Sequence, residues 1–259
     1  MSNELISVVI PCFNQGKYLP FAVESVIAST HKAIEIIIVN DGSTDDSLDI
    51  AYQLKTNHPG IQIIDQPNGG VSKTRNTGMR IAQGEYILPL DGDDLISNDY
   101  IERAIEILRS DASVKVVYCN AFKFNQQMQK EWKLKPFSLR KLAIDNMIFV
   151  SGIFRKKDAL DIGGYSEDMT MGREDWEFWI KMLKNGGMVI KLPIYGFYYR
   201  LTPNSKIKKT RTSEKKKERI DYLNKKHADF FQKNINGPLR YNRSWSNVFN
   251  RFMKLIGRL

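Results

Sequence analysis

Asp91, Asp93 and Asp94 surround Gly92 at the end of an apolar run, Ile-Leu-Pro-Leu at 87–90. A buried strand that ends this way delivers carboxylates to a sheet edge, where they can meet a divalent cation and whatever it carries. A second acidic pair, Glu174-Asp175, stands beside Trp176 and Trp179 at a loop-to-helix junction. Such surroundings can raise a carboxylate pKa and make a general base. Both groups also have plainer explanations: Asp-Gly-Asp forms solvated turns, and the dipole favours acids in the first turn of a helix.

The elements that must position these groups alternate between strand and helix. Residues 5–11 and 34–40 are short, nearly continuous apolar runs rich in β-branched residues, as expected of strands covered on both faces. Between them, Leu19, Ala22, Val23, Val26 and Ile27 recur at helical spacing. Ser43 or Thr44 is suited to cap a helix reaching about residue 54, 61–64 gives a third strand, 71–82 a helix and 86–90 a fourth strand. This alternation predicts a doubly wound, mostly parallel α/β sheet, with ligands beyond the carboxyl ends of its strands. Residues 11–14, 40–43 and 91–94 then share one rim. No Gly-x-Gly-x-x-Gly or Gly-Lys-Ser/Thr follows a strand, so a diphosphate there needs a cation held by Asp91 and Asp93.

Beyond the acidic turn, an amphipathic helix is expected over 100–108, a strand over 114–122, a loop or short helix over 126–142, a turn at 161–165, and two closing strands at 188–192 and 195–201. The net charge is +10, yet residues from Lys206 onward hold 16 Lys or Arg against 4 Asp or Glu. The basic character thus belongs to a tail, 206–259, on a near-neutral unit, 1–205. Residues 206–219 read as a solvated segment. From Trp245, the residues Trp245, Val248, Phe249, Phe252, Met253, Ile256 and Leu259 share one helical face, which either packs on the globule or lies in an anionic membrane interface. No run reaches the ~18 apolar residues of a membrane span, and the start lacks signal-peptide character, so a cytoplasmic place is expected. Cys12 and Cys119 lie in strand-like runs and read as buried thiols. The tail has charge for nucleic acid but no recognition module, and no nucleic-acid partner is expected.

Several motifs in order resemble the family 2 glycosyltransferases, inverting enzymes of the GT-A fold, over about 7–200. Ser7-Val8-Val9-Ile10-Pro11-Cys12-Phe13-Asn14 is similar to the opening strand and nucleotide loop, and Val39-Asn40-Asp41-Gly42-Ser43 to the second-strand motif. Asn68-Gly69-Gly70-Val71-Ser72-Lys73-Thr74-Arg75-Asn76 resembles the segment that closes over the nucleotide, Asp91-Gly92-Asp93 the DXD motif, and Glu174-Asp175 the acidic pair on the acceptor side. The resemblance implies donor contacts at Pro11, Phe13, Asn14, Asp41, Lys73, Arg75 and Asp91. It further implies Mn²⁺ or Mg²⁺ on Asp93 with Asp91, and Asp175 as the base next to Glu174. One departure stands out: Thr202 occupies the place where the family often has a histidine after Arg200, and a hydroxyl is a poor substitute for imidazole as a ligand.

The implied activity is inverting transfer of a sugar from a nucleotide-diphosphate donor, expected to be a UDP-sugar, to a hydroxyl of a lipid-linked, cell-surface glycan at the inner membrane face. The alternative is a nucleotide-sugar-binding or scaffold protein of the same fold without transfer; intact Asp91, Asp93 and Asp175 weigh against it.

Overall fold

Every residue of β1 (Ile6–Cys12) is buried, as are all but the first of β2 (Ile34–Asp41). Strands this apolar need cover on both faces. β3 (Ile61–Gln66) and β4 (Tyr86–Pro89) complete the amino-terminal half, linked by α1 (Leu19–Ile27), α2 (Ser47–Asn57) and α3 (Val71–Ile81). There follow β5 (Leu95–Ile96), α4 (Tyr100–Ser110), β6 (Val114–Phe124), β7 (Gln129–Trp132), α5 (Leu139–Leu142), β8 (Ile153–Arg155), α6 (Lys156–Asp161), α7 (Glu174–Leu183) and β9 (Met188–Arg200). The carboxyl-terminal part forms α8 (Ser213–Lys226), α9 (Ala228–Ile235) and α10 (Ser246–Leu255). These elements come from a computed structural model that describes residues 4–202, 210 and 212–258.

One sheet runs β3-β2-β1-β4-β8-β6-β9-β5, with β7 paired on β6. The β3-β2-β1-β4 half is parallel, as the alternation predicts, and β6 pairs β9 in parallel; the pairings of β8, β7 and β5 are antiparallel. The strand order reverses at β1, so the loops after β1 and β4 flank a switch point where a ligand can enter between them. α3 packs across β1 and β2 at Gly78. A Cβ there would meet Val9 Cγ1 at 2.3 Å, so only glycine lets the helix approach this closely.

Four expectations need correction. α2 begins at Ser47 with Asp46 at its amino terminus rather than with a Ser43 or Thr44 cap. Those two residues are engaged elsewhere: Asn14 N–H donates to Ser43 Oγ at 3.0 Å, and Thr44 N–H donates to Asn14 Oδ1 at 2.8 Å. Residues 126–142 include a strand, β7, which pairs with β6 through its backbone while its side chains stay mostly exposed, and so leaves no apolar alternation to read. The two closing strands are one, β9. Its register against β6 shifts between Leu192 and Tyr195, where Pro193 lacks the N–H a regular ladder needs.

The basic segment is the fourth place where the structure departs from expectation. Residues 203–209 and 211 lie outside the described residues, but Thr212 Oγ1 accepts from Lys215 N–H at 3.2 Å and α8 starts there. Arg219, expected in a solvated run, is buried and donates to the carbonyls of Gly172 at 2.9 Å and Met171 at 2.6 Å. The guanidinium fork satisfies a turn whose carbonyls would otherwise be orphaned. His227 Nε2 lies 2.8 Å from the buried Glu177 Oε1, and Ser166 Oγ donates to Glu177 Oε2 at 2.8 Å. Cys12 and Cys119 are buried free thiols, as expected.

Candidate active site

Asp41 ends β2 and holds the next crossover in place. Its Oδ1 accepts from Gly69 N–H at 2.9 Å and from Gln66 Nε2 at 2.8 Å, and its Oδ2 accepts from Gly70 N–H at 2.9 Å. Gly70, at φ 84°, has the left-handed backbone this turn requires. Asn14, at φ 53°, ties the β1 loop to the β2 loop through its bonds with Ser43 and Thr44. Pro11 lies within β1 and is buried, Phe13 is exposed at the rim, and Lys73 is exposed on the first turn of α3. The loop after β1 and the loop after β2 are therefore hydrogen-bonded to each other, and the end of β2 to the crossover that follows β3.

Arg75 joins the two halves of the site. It points inward from α3 with 2% exposure, donating from Nη2 to Asp91 Oδ1 at 2.6 Å and from Nη1 to Glu174 Oε1 at 3.1 Å. Its guanidinium also lies 5.2 Å from the Tyr165 ring. Burial opposes its charge, but Asp91, Tyr165 and Glu174 outweigh burial and keep the guanidinium protonated. Residues 75, 91 and 174, far apart in the chain, thus form one ion triad, a link that no spacing in the sequence contains.

The acidic turn is crowded. Burial first, and the neighbouring charge of Asp91 second, push Asp93 up to about 7. Asp94 is fully buried, and burial with the charges of Asp93 and Asp91 holds it well above the usual carboxylate range. Asp94 Oδ1 accepts from Arg200 N–H at 2.8 Å, and Arg200 Nε donates to Asp93 O at 2.8 Å, so the end of β9 is fastened to this turn. Arg200 lies over Tyr18 and Phe124 at 4.9 and 4.5 Å.

Among the described residues no three His, Cys, Asp or Glu side chains are arranged to hold a metal ion. Asp91 and Asp93 nevertheless fit a divalent cation of the Mg²⁺ or Mn²⁺ kind, since such ions are commonly held by one or two carboxylates with substrate phosphates completing the shell.

On the opposite side, Asp175 sits in the first turn of α7, after Arg173 in the left-handed region at φ 64°. Its Oδ2 accepts from Asn146 Nδ2 at 2.7 Å, and burial first, then the charge of Glu174, raise its pKa to about 6. The tryptophans are buried anchors: Trp176 Nε1 donates to Leu142 O at 2.6 Å and Trp179 Nε1 to Ile148 O at 3.1 Å. They fix the 142–148 segment and so place Asn146, a residue no sequence signal had marked. A cavity of about 590 Å³ is lined by Met79, Arg80, Tyr165, Ser166, Lys181 and Lys226 among others, but by none of these carboxylates.

The sequence model described as "Glycosyl transferase family 2" matches residues 7–177. The chondroitin synthase of Escherichia coli is 37% identical over 130 residues, which cover 50% of this chain and 18% of that protein. Among solved structures, S. aureus TarS in complex with UDP-GlcNAc superposes with a TM-score of 0.73 at 20% identity, covering 97% of this chain and 75% of that one. The mannosyltransferase PcManGT of Pyrobaculum calidifontis, in complex with GDP-Man and Mn²⁺, gives 0.66 at 16% identity, covering 99% and 76%. At such identities the structural likeness is one of fold.

Proposed function

Because the chain belongs to glycosyl transferase family 2 and has the GT-A fold, we propose that it transfers a sugar from a UDP-sugar to a hydroxyl of a glycan acceptor with inversion. The observation that supports this reading is the Arg75 bridge, a buried guanidinium paired with both Asp91 and Glu174; in this reading Asp91 lies on the donor side and the Glu174-Asp175 pair on the acceptor side. In this reading the ends of β1 and β2, with Pro11, Phe13, Asn14 and Asp41, hold the nucleotide, and Lys73 reaches over it from α3. Asp91 and Asp93 hold Mn²⁺ or Mg²⁺, which supplies positive charge against the departing diphosphate. Asp175 accepts the acceptor hydroxyl proton as that oxygen bonds the anomeric carbon and the bond to the diphosphate breaks. Asn146 keeps the carboxylate aimed, and Arg75 keeps Asp91 and Glu174 from repelling each other.

The acceptor in this reading is a lipid-linked cell-surface glycan, met at the inner membrane face. α10 supports that placement: it buries Ser246, Asn247 and Asn250, while Trp245 just before it and Val248, Phe249, Phe252 and Leu255 are exposed. Asn250 secures the polar side, donating to Ile235 O at 3.0 Å and Pro238 O at 2.9 Å. An apolar face turned outward among Arg251, Lys254 and Arg258 suits an anionic bilayer interface. No helix among the described residues is long and apolar enough to cross a membrane.

The deciding experiment is UDP release from a panel of UDP-sugars with Mn²⁺ and candidate acceptors, comparing the native chain with Asp175→Asn. Turnover lost in the variant with UDP-sugar binding retained is expected; binding without turnover in the native chain would leave a nucleotide-sugar-binding protein instead.

A further inference from the structure

The β6–β7 hairpin and the segment after it carry a cationic excess that the donor site does not use. Between residues 124 and 141 lie Lys130, Lys133, Lys135, Arg140 and Lys141 against a single acid, Glu131. Glu131 accepts from the Tyr195 hydroxyl at 3.1 Å. Lys130 and Lys133 are exposed and have no carboxylate partner among the described residues. Exposed lysines alone are ordinary solvated charge, but here they border a cavity.

That cavity, about 400 Å³, is lined by three lysines, Lys123, Lys130 and Lys133, by one acid, Glu131, and by the apolar Met128, Trp132 and Leu201. Its volume falls in the roughly 300–1,000 Å³ range of small-molecule sites. The Trp132 indole is held from behind by Tyr199 and Phe149, at 5.4 and 6.4 Å between ring centroids, and carries the Lys123 ammonium 4.3 Å from its own centroid. Apolar surface ringed by cations matches a sugar ring that bears negative substituents. Along the chain, its lining residue Leu201 follows Arg200, whose Nε donates to Asp93 O at the acidic turn.

We propose that this cavity is an acceptor subsite for an anionic glycan, which places a sugar ring against Trp132 and a carboxylate or phosphate group among Lys123, Lys130 and Lys133. The inference rests on the transferase reading above and adds the chemical class of the acceptor.

Titration calorimetry on the full chain with saturating UDP and Mn²⁺ tests it, using tetragalacturonate, a glycerol phosphate tetramer and neutral maltotetraose. One anionic oligomer is expected to bind at least roughly tenfold tighter than maltotetraose, and which of the two does so separates carboxylate from phosphate recognition. The double variant Lys130→Gln, Lys133→Gln, changed only at exposed positions, should weaken that binding roughly three- to tenfold and leave UDP affinity unchanged. Equal affinity for all three oligomers, with UDP still bound, overturns the subsite and leaves the transferase standing. Absence of UDP binding to the native chain overturns the transferase reading itself. Retention on anionic vesicles that the double variant loses, without any oligomer preference, would make the patch a membrane contact and also refute the proposal.

Discussion

Asp175 combines enclosure, an adjacent like charge and one neutral hydrogen-bond donor, and these set its working range. With a folded pKa of about 6, the carboxylate becomes able to accept a proton as pH rises through that value. The pH profile of kcat/KM should therefore have an acidic limb near pH 6, flat above it. Asn146→Ala removes the donor to Oδ2, which favours the ionised form, so the limb should move to higher pH with little change in UDP-sugar affinity. An unmoved limb would remove Asn146 from the positioning of the base. The Glu174-Asp175 pair beside its tryptophans stands out in the sequence as a candidate, whereas Asn146 does not. Its only qualification is that Trp176 and Trp179 draw the 142–148 segment against α7, and an isolated asparagine before an apolar run announces nothing of that kind.

At the scale of elements, α3 is the part most sensitive to change, because it carries Arg75 and packs on β1 and β2 through a position without a side chain. In Gly78→Ala the added Cβ would lie 2.3 Å from Val9 Cγ1 and 3.3 Å from Val39 Cγ2, so the helix or both valines must shift. Overpacking of this kind costs about 1–3 kcal/mol. Urea unfolding should show a lower midpoint, and the displaced Arg75 should weaken UDP-sugar binding along with stability. A midpoint within error of the native chain would show that α3 tolerates the displacement. The helix itself was readable from its periodicity, and so were β1, β2 and β4, since strands buried on both faces announce themselves as apolar runs; the edge strand β3 was read from its three isoleucines within 61–64. β7 and the continuity of β9 were not readable. β7 pairs through its backbone with its side chains largely in water, and β9 crosses a proline bulge that looks like a strand end.

The whole molecule combines a parallel half, β3-β2-β1-β4, with a mixed half; in the proposed function the first supplies the donor rim and the second the acceptor side, and ligand binding should report on both. In the proposed function Asp91 and Asp93 meet the cation with no third such ligand among the described residues, and two carboxylates bind a free cation poorly unless diphosphate oxygens complete its shell. Mn²⁺ alone should thus barely raise the melting temperature, UDP alone modestly, and the two together well beyond the sum. A ligand present at a hundred times its Kd adds about 2.7 kcal/mol. Full stabilisation by Mn²⁺ without UDP would mean a complete protein metal site and would contradict this arrangement.

By itself the sequence determined the alternation of strand and helix, the family motifs, the acidic turn at 91–94, and the split between a neutral body and a basic tail, because each is a local pattern of residue types. Only the tertiary structure decided how those groups meet. Arg75 reaches Asp91 and Glu174 from 16 and 99 residues away in the chain. Arg219 leaves its basic run to satisfy the turn before α7, and α10 turns its asparagines inward and its phenylalanines outward. Each outcome depends on which carbonyls and carboxylates remain unpaired once the sheet has formed, and such vacancies exist only in three dimensions.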